Sequence, residues 1–466
     1  MDLDGTLVLT DTLWESFIAL FRVNPLRAAT ALIWLFHGLA TFKHQLAELV
    51  RLNVEALPYH AEVLALLEEE ASQGRPLVLV TGADASIANA VAAHLRCFVD
   101  VISSDGTINM TGRRKLKAIK ARLGDKFCYI GNSRSDVAVW AESSGAILVN
   151  APRTCARSLA RRRVPILRTV ARRDSRSAVW IRALRIQQWS KNALVFLPVL
   201  LSHRAFESAV ALQACLSFAA LSLCASAIYL VNDVFDVAAD RRHPVKRNRP
   251  FAAGAATIPS GLCVAFVLLV GSATVCALLP IQAGLFFLVY AVVALLYSLA
   301  LKRVLMLDVV LLAGFYVLRV LIGGASTDIP ISVWTLAFMM FLSLTVAFTK
   351  RVSELHALQT DQTSSGSNGR PYTAQDRQLL ISLGSASSYA CVLVVALYIN
   401  GNDVRALYSH PSYLWLVCPA LVYWLGRMLT LADRGSMHDD PVLFALKDRA
   451  SYWIAGFCLL VGLLAI

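Results

Sequence analysis

The chain has 466 residues, 57% of them hydrophobic and 16% charged, with a mean hydropathy of +0.58. That balance excludes a purely soluble protein of this size and calls for several membrane spans, with room for a second domain. A net charge of +13 fits nucleic acid, an anionic membrane surface or phosphorylated substrates, and ten scattered cysteines without a C-x-x-C pair indicate neither a disulfide framework nor a zinc site. From residue 1 to 152 the pattern is that of an α/β domain. Strand-like apolar runs ("PLVLVTG", "KFCYIGN", "AILVNA") alternate with amphipathic helical stretches such as "ASIANAVAAHL" and "RRKLKAIKARLG". The first residues, "MDLDGTL", do not read as a cleavable signal peptide. Residues 153–180 read as a basic juxtamembrane linker. From Arg153 to Lys191 there are a dozen Arg and Lys against a single acid, Asp174, a charge suited to anionic headgroups.

Residues 181–466 read as an all-α polytopic membrane domain with about nine apolar segments of spanning or near-spanning length. They centre near Phe196, Ser217, Leu268, Val289, Leu312, Phe338, Ala390, Ala420 and Phe457. Placing the arginine-rich linker in the cytoplasm puts Arg241 to Arg249, Lys302 with Arg303, Lys350 with Arg351, and Arg427 to Arg449 on the same side. The outer loops, "GGASTDIP" and "NGNDVRALYSHPS", are poor in Lys and Arg. The expected place is therefore a cell (inner) membrane, multi-pass, with the soluble domain and the active sites on the cytoplasmic side.

In the first half, "MDLDGTL" resembles motif one of the haloacid dehalogenase superfamily, D-x-D-G-T, and the other motifs follow in order. Thr81 ends "LVLVT", Lys115 lies in "TGRRKLKAI", and Asn132 and Asp136 stand in "GNSRSD". The resemblance implies a Rossmann-like α/β phosphatase domain. Asp2 would be the nucleophile and Asp4 the general acid/base. Thr81 and Lys115 would hold phosphoryl oxygens, while Asp2, Asp136 and Asn132 would bind Mg2+. Many family members have aspartate where Asn132 stands. Almost nothing precedes Asp2, so the strand that the family places ahead of it is expected to be missing. The stretch "TLWESFIALFRVNPLRAATALIWLFHGLATF" reads as a helical cap, apolar enough to touch lipid.

In the second half, "NDVFDVAADRRHPVKRNRP" follows directly on an apolar run. Asn232, Asp236 and Asp240 are four apart and share one face of a helix, with Asp233 beside them. Such a cluster is destabilising unless a cation neutralises it, and magnesium with a pyrophosphate suits it. Arg241, Arg242, Lys246, Arg247 and Arg249 then serve the phosphates. A charged loop that merely caps a helix needs no such acidic spacing. N-D-x-x-D-x-x-x-D at the end of a span resembles the UbiA superfamily of membrane prenyltransferases. "DRRHPVKRNRPFAAG" and "LRIQQWSKNALVFLPVL" look more like its decaprenyl-phosphate phosphoribosyltransferase branch. That resemblance implicates Gln188, Trp189, Lys191 and Asn192 in substrate binding. A second family motif is met in part by Tyr297, Lys302 and Asp308, with Asp308 a further metal ligand. Arg319, deep in an apolar run, is expected to line a cavity. Lys350, Arg351, Glu354, Asp439, Asp440, Asp448 and Arg449 are further candidates, and His243, before a proline, reads as structural.

The resulting expectation is a bifunctional, Mg2+-dependent enzyme. It would transfer 5-phosphoribosyl from phosphoribosyl pyrophosphate to a polyprenyl phosphate lipid and then remove the ribose phosphate. No nucleic acid partner is expected, and a homo-oligomer is compatible with the sequence. The alternatives are an aromatic prenyltransferase joined to an unrelated phosphatase, and a transporter with a regulatory domain. A transporter would place its ionisable residues near the bilayer midplane, whereas the clusters here lie at helix ends.

Overall fold

The computed structural model describes residues 1–171, 175–202, 204–360, 371–401, 404, 408–437 and 440–465. By packing, the chain divides into two units. One comprises Met1–Leu184 with Tyr229–Ala265, the other Arg185–Ile228 with Phe266–Ile466.

The first unit is built on parallel strands. β1 (Val78–Asp84) pairs with β2 (Asp100–Ser104), and β3 (Cys128–Gly131), β4 (Gly145–Val149) and β5 (Ile166–Val170) form a second ladder in that order. The two ladders are joined by the first two residues. Met1 N donates to Val78 O at 2.8 Å, Val80 N donates to Met1 O at 2.7 Å, and Asp2 N donates to Ile130 O at 2.9 Å. Residue 1 thus bonds the residues on either side of Leu79, which is parallel pairing, and Asp2 bonds β3 on the other side. Alternate residues feed alternate cores. Leu79, Ile147 and Val149 enter one cluster with Leu3, Leu7 and Leu67, while Val78, Val80 and Leu148 enter another with Ile119 and Trp140. A parallel sheet buried on both faces needs this continuous apolar run.

Helices α1 (Thr12–Val23), α2 (Pro25–Ala31) and α3 (Leu39–Leu49) form the expected helical segment after Asp4. They hold together through Leu20, Ala28, Ala31, Phe42 and Leu46. α4 (Ala61–Ser72), α5 (Ala85–Leu95) and α6 (Gly112–Leu123) flank the strands. Part of the basic segment expected as a linker is regular structure: a helix over Arg153–Arg161, then β5 at the edge of its ladder. Edge strands often carry cations on their exposed side, which is why "ILRTV" reads as linker in sequence.

Residues 229–265 pack with this unit. Phe235 packs against Phe21 of α1, the rings tilted by 35° with centroids 5.0 Å apart. Gly254, at φ +64°, lies so close to Leu9 that an added Cβ would sit 2.6 Å from the Leu9 carbonyl oxygen. Gly254→Ala is therefore expected to destabilise the protein by about 1–3 kcal/mol, from the left-handed backbone and the clash together. Thermal unfolding of the purified protein checks this, and an unchanged Tm would mean that the segment does not dock on Leu9.

Among the described residues, seven helices are long and apolar enough to cross a membrane: Ser208–Phe235, Ile258–Cys276, Ile281–Leu299, Leu307–Thr327, Val333–Ala357, Ala374–Ile399 and Pro411–Asp433. They correspond to seven of the nine expected segments. Around Phe196 the chain instead forms a 3-10 helix, Ile186–Phe196, and a short helix, Leu197–Leu201. Around Phe457 it forms an apolar helix, Arg449–Ala465, of 17 residues, marginal for a hydrocarbon core about 30 Å thick. Residues 402, 403 and 405–407 of the second outer loop lie outside the described residues, as do residues 172–174 of the basic segment, Asp174 among them.

Candidate functional site

The parallel ladders bring the first set of candidates together at their carboxyl ends, where open α/β sheets bind ligands. Lys115, from α6, donates to Asp2 Oδ1 at 2.8 Å and stands 3.5 Å from Asp136 Oδ1. All three are buried. Burial opposes the ammonium charge, but Asp2 and Asp136 outweigh it and raise the Lys115 pKa. Asp136 Oδ2 accepts from Ser133 Oγ at 2.8 Å and from the backbone N–H groups of Ser133 and Asn132 at 3.0 and 3.2 Å. Gly5, at φ +72°, leaves room for Asn132, whose Nδ2 would lie 2.0 Å from a Cβ there. Thr81 is buried within β1, its Oγ1 accepting from Ala83 N at 3.0 Å. Asp4 accepts from Thr12 N, at the start of α1, at 2.9 Å. Its pKa is pushed up to about 7 by burial first and Asp11 second.

Sequence reasoning missed Tyr129. Its hydroxyl donates to Asp136 Oδ1 at 3.1 Å and accepts from Lys115 at 2.9 Å. In sequence it is an aromatic in an apolar strand, which reads as core. Carboxylates and an amide oxygen are the hard donors that magnesium takes, so Asp2, Asp136 and Asn132 fit that ion by chemistry.

The acidic segment ends the helix Ser208–Phe235. Asp236 stands at a break, with φ −91° and ψ 5°, before the short helix Val237–Arg242. The i to i+4 bonds continue through it, Asp236 N to Asn232 O and Asp240 N to Asp236 O, each 2.8 Å. The side chains that converge are nevertheless Asp233 and Asp240. Both are buried, and Arg249 Nη1 donates to them at 3.1 and 2.8 Å. Asn232 and Asp236 are half-buried. Burial raises the Asp240 pKa despite Arg249 beside it. One guanidinium bridges the two carboxylates, whose oxygens are the kind of donor that magnesium takes. Among the described residues, however, no group of three or more His, Cys, Asp or Glu is arranged around a metal position.

The basic residues divide. Arg242 and Arg247 are exposed and Lys246 is half-buried. Arg241, expected at phosphate, is instead buried against α1. It donates to Glu15 Oε1 at 2.6 Å and Oε2 at 3.2 Å, and to Ala252 O at 3.1 Å. Glu15 Oε1 also accepts from Thr10 Oγ1 at 2.7 Å. The His243 ring accepts from Val245 N and Lys246 N, the structural role expected of it.

The second unit holds two further ionic groups. Asp440 Oδ2 accepts from Lys191 at 2.8 Å and Lys350 at 3.0 Å, while Asp440 Oδ1 caps the helix Pro441–Ala445. Burial works to raise the Asp440 pKa, but the two ammonium groups hold it well below the usual carboxylate range. Two cations on one acid leave a net positive charge. Asp308, expected as a metal ligand, has its oxygens engaged otherwise: Oδ2 pairs with Arg351 Nε at 2.8 Å and Oδ1 accepts from Tyr372 OH. Arg351 also pairs with Glu354 and donates to Tyr297 OH at 3.4 Å.

Arg319, expected to line a cavity, ties structure together instead. It donates to Asn192 Oδ1 and Tyr290 OH, each at 3.0 Å, and to Phe315 O at 2.7 Å. Asn192 in turn donates to Ser222 at 3.1 Å, and Trp189 to Ser226 at 2.9 Å. A buried guanidinium must be paired in this way or its desolvation is unmet. Gln188 and Lys302 are half-buried. Asp448 takes a two-pronged contact from Arg427 at 2.7 and 3.0 Å. Asp439 lies outside the described residues.

A family model for the UbiA prenyltransferase family matches residues 193–463, and one for haloacid dehalogenase-like hydrolases matches residues 1–140. Protein y4nM of Sinorhizobium fredii is 34% identical over 97% of this chain and 88% of its own length. A decaprenyl-phosphate phosphoribosyltransferase of Mycobacterium tuberculosis is 33% identical over 59% of this chain and 91% of its own. Among solved structures, a UbiA homolog from Archaeoglobus fulgidus bound to DMAPP and Mg2+ is 14% identical, with a TM-score of 0.46, and the match covers 60% of this chain and 98% of that one.

Proposed function

Because the chain belongs to the UbiA prenyltransferase family and carries a haloacid dehalogenase-like region at residues 1–140, we propose that it is a bifunctional lipid phosphoribosyltransferase and phosphatase. The first step joins the phosphate oxygen of a polyprenyl phosphate to the anomeric carbon of phosphoribosyl pyrophosphate, as the bond from that carbon to pyrophosphate breaks. The second removes the 5-phosphate from the lipid-linked ribose. The observation that carries the reading is the 33% identity to decaprenyl-phosphate phosphoribosyltransferase, over 287 residues of a chain that also holds the Asp2, Lys115 and Asp136 cluster.

Magnesium, when bound by Asp233, Asp236, Asp240 and Asn232, and in the other site by Asp2, Asp136 and Asn132, would supply charge neutralisation for phosphate oxygens. Arg242, Lys246 and Arg247 offer donors to the leaving pyrophosphate. Arg249 is the counter-charge of the buried Asp233 and Asp240 carboxylates. Lys191 and Lys350 carry the surplus positive charge that holds an anionic group. The acceptor phosphate is already an anion, so its attack needs no strong base.

In hydrolysis the Asp2 carboxylate attacks phosphorus and the bond to the ribose 5-oxygen breaks. Asp4, with a pKa of about 7, gives that oxygen its proton. A water that Asp4 then deprotonates cleaves the aspartyl-phosphate. Lys115 and Thr81 hold the phosphoryl oxygens throughout. Both steps take place on the cytoplasmic side of a cell membrane, a sidedness supported by the distribution of Lys and Arg among the loops.

The test is to give membranes carrying the protein labelled phosphoribosyl pyrophosphate with polyprenyl phosphate, and separately hydroxybenzoate with a prenyl pyrophosphate. Label should enter the lipid fraction in the first reaction, with no product in the second. Robust prenylation of the aromatic acid, without ribosyl transfer, would overturn the reading.

A further inference from the structure

The helices after Asp4 are turned inside out for a soluble domain. α2 buries Ala28 and Ala31 while Leu26 beside them is 80% exposed. The 3-10 turn that follows, Leu32–His37, buries none of its residues, and Phe36 is 91% exposed. Val23 and Ile33 extend the same apolar surface. The spanning helices carry the same mark, with Leu285 and Leu288 of Ile281–Leu299 each 60% exposed. Charge runs one way as well. No Asp or Glu lies between Glu15 and Glu48, while Arg22 and Arg27 stand exposed on this segment.

Two contacts say what covers the surface. Phe21 of α1 packs against Phe235, the last residue of Ser208–Phe235, a helix long and apolar enough to span. Arg241, six residues further along, grips Glu15 near the start of the same α1. α1 is therefore fastened to the end of a span, and Val23 and Leu26 follow within five residues of Phe21.

We propose that residues 23–39 lie in the interfacial layer of the membrane that holds the spans, with the apolar side chains among the acyl chains and Arg22 and Arg27 against anionic headgroups. This is monotopic attachment, in which apolar area and basic charge add. It stands independently of the proposed reaction. If that reaction also holds, the attachment keeps the phosphatase on the membrane surface that carries its lipid-linked substrate.

The full chain reconstituted in nanodiscs of phosphatidylethanolamine and phosphatidylglycerol, with Phe36→p-benzoyl-phenylalanine, tests it. Irradiation should give phospholipid adducts by mass spectrometry, with phosphatidylglycerol over-represented. Adducts to a second copy of the chain, or no lipid adduct, would overturn the proposal. With the probe at Ile33 instead, Leu26→Glu combined with Phe36→Glu should cut lipid adducts about tenfold, the scale of withdrawing two large apolar side chains from lipid. An undiminished yield would also count against the proposal. Neither readout requires the enzyme to be active, so failure of the proposed function leaves this test intact.

Discussion

Asp2→Asn is expected to stop hydrolysis while leaving transfer intact. The amide keeps the shape of the carboxylate and an oxygen to accept from Lys115, now 2.8 Å away, but it has no anionic oxygen to form an acyl-phosphate. Lys115 retains Asp136 as its second acidic neighbour, so the site should hold together. Loss of a nucleophile lowers turnover by at least about a thousandfold. Pyrophosphate release from the membrane half should continue, and polyprenyl-phosphoryl ribose phosphate should build up in the lipid extract, where mass spectrometry reads it. If the wild type builds up the same phosphorylated lipid, the hydrolase does not act on this product.

The second large effect is expected from Asp236→Asn, which should reduce Mg2+-dependent ribosyl transfer by about a hundredfold or more. Asp236 is the clean position to test. Asp233 and Asp240 are buried against Arg249, and neutralising either would leave a guanidinium poorly matched in a buried place, confusing stability with activity. Asp236 stands half-buried at the helix junction, and an amide can occupy that place. Normal transfer by a well-expressed variant would remove Asp236 from the site.

Much of the α/β unit was legible because strand and helix periods differ. "KFCYIGN" contains β3, "PLVLVTG" and "AILVNA" cover most of β1 and β4, and "ASIANAVAAHL" is α5 from end to end. β5 was not legible, since the exposure of four of its five residues leaves no apolar alternation to read. Asp2, Lys115 and Asp136 were legible as motif residues and do converge. Tyr129 was not, because nothing in a sequence separates a strand aromatic that packs by its ring from one that also works by its hydroxyl. The spacing of the acidic segment was legible, but which two carboxylates meet was not, because the helix breaks at Asp236 and Arg249 arrives from outside it. The pairing of Asp308 with Arg351 and Tyr372 joins segments more than forty and sixty residues apart, beyond any local pattern.

The grip of Arg241 on Glu15 makes the two halves of the sequence depend on each other. The arginine belongs to the stretch matched by one family and the glutamate to the stretch matched by the other, yet each is the other's counter-charge in a buried place. Removing either side chain within the intact chain would leave the other's charge buried, a penalty of about 3–5 kcal/mol. The two stretches are thus held to each other by a buried charge pair as well as by the continuous polypeptide.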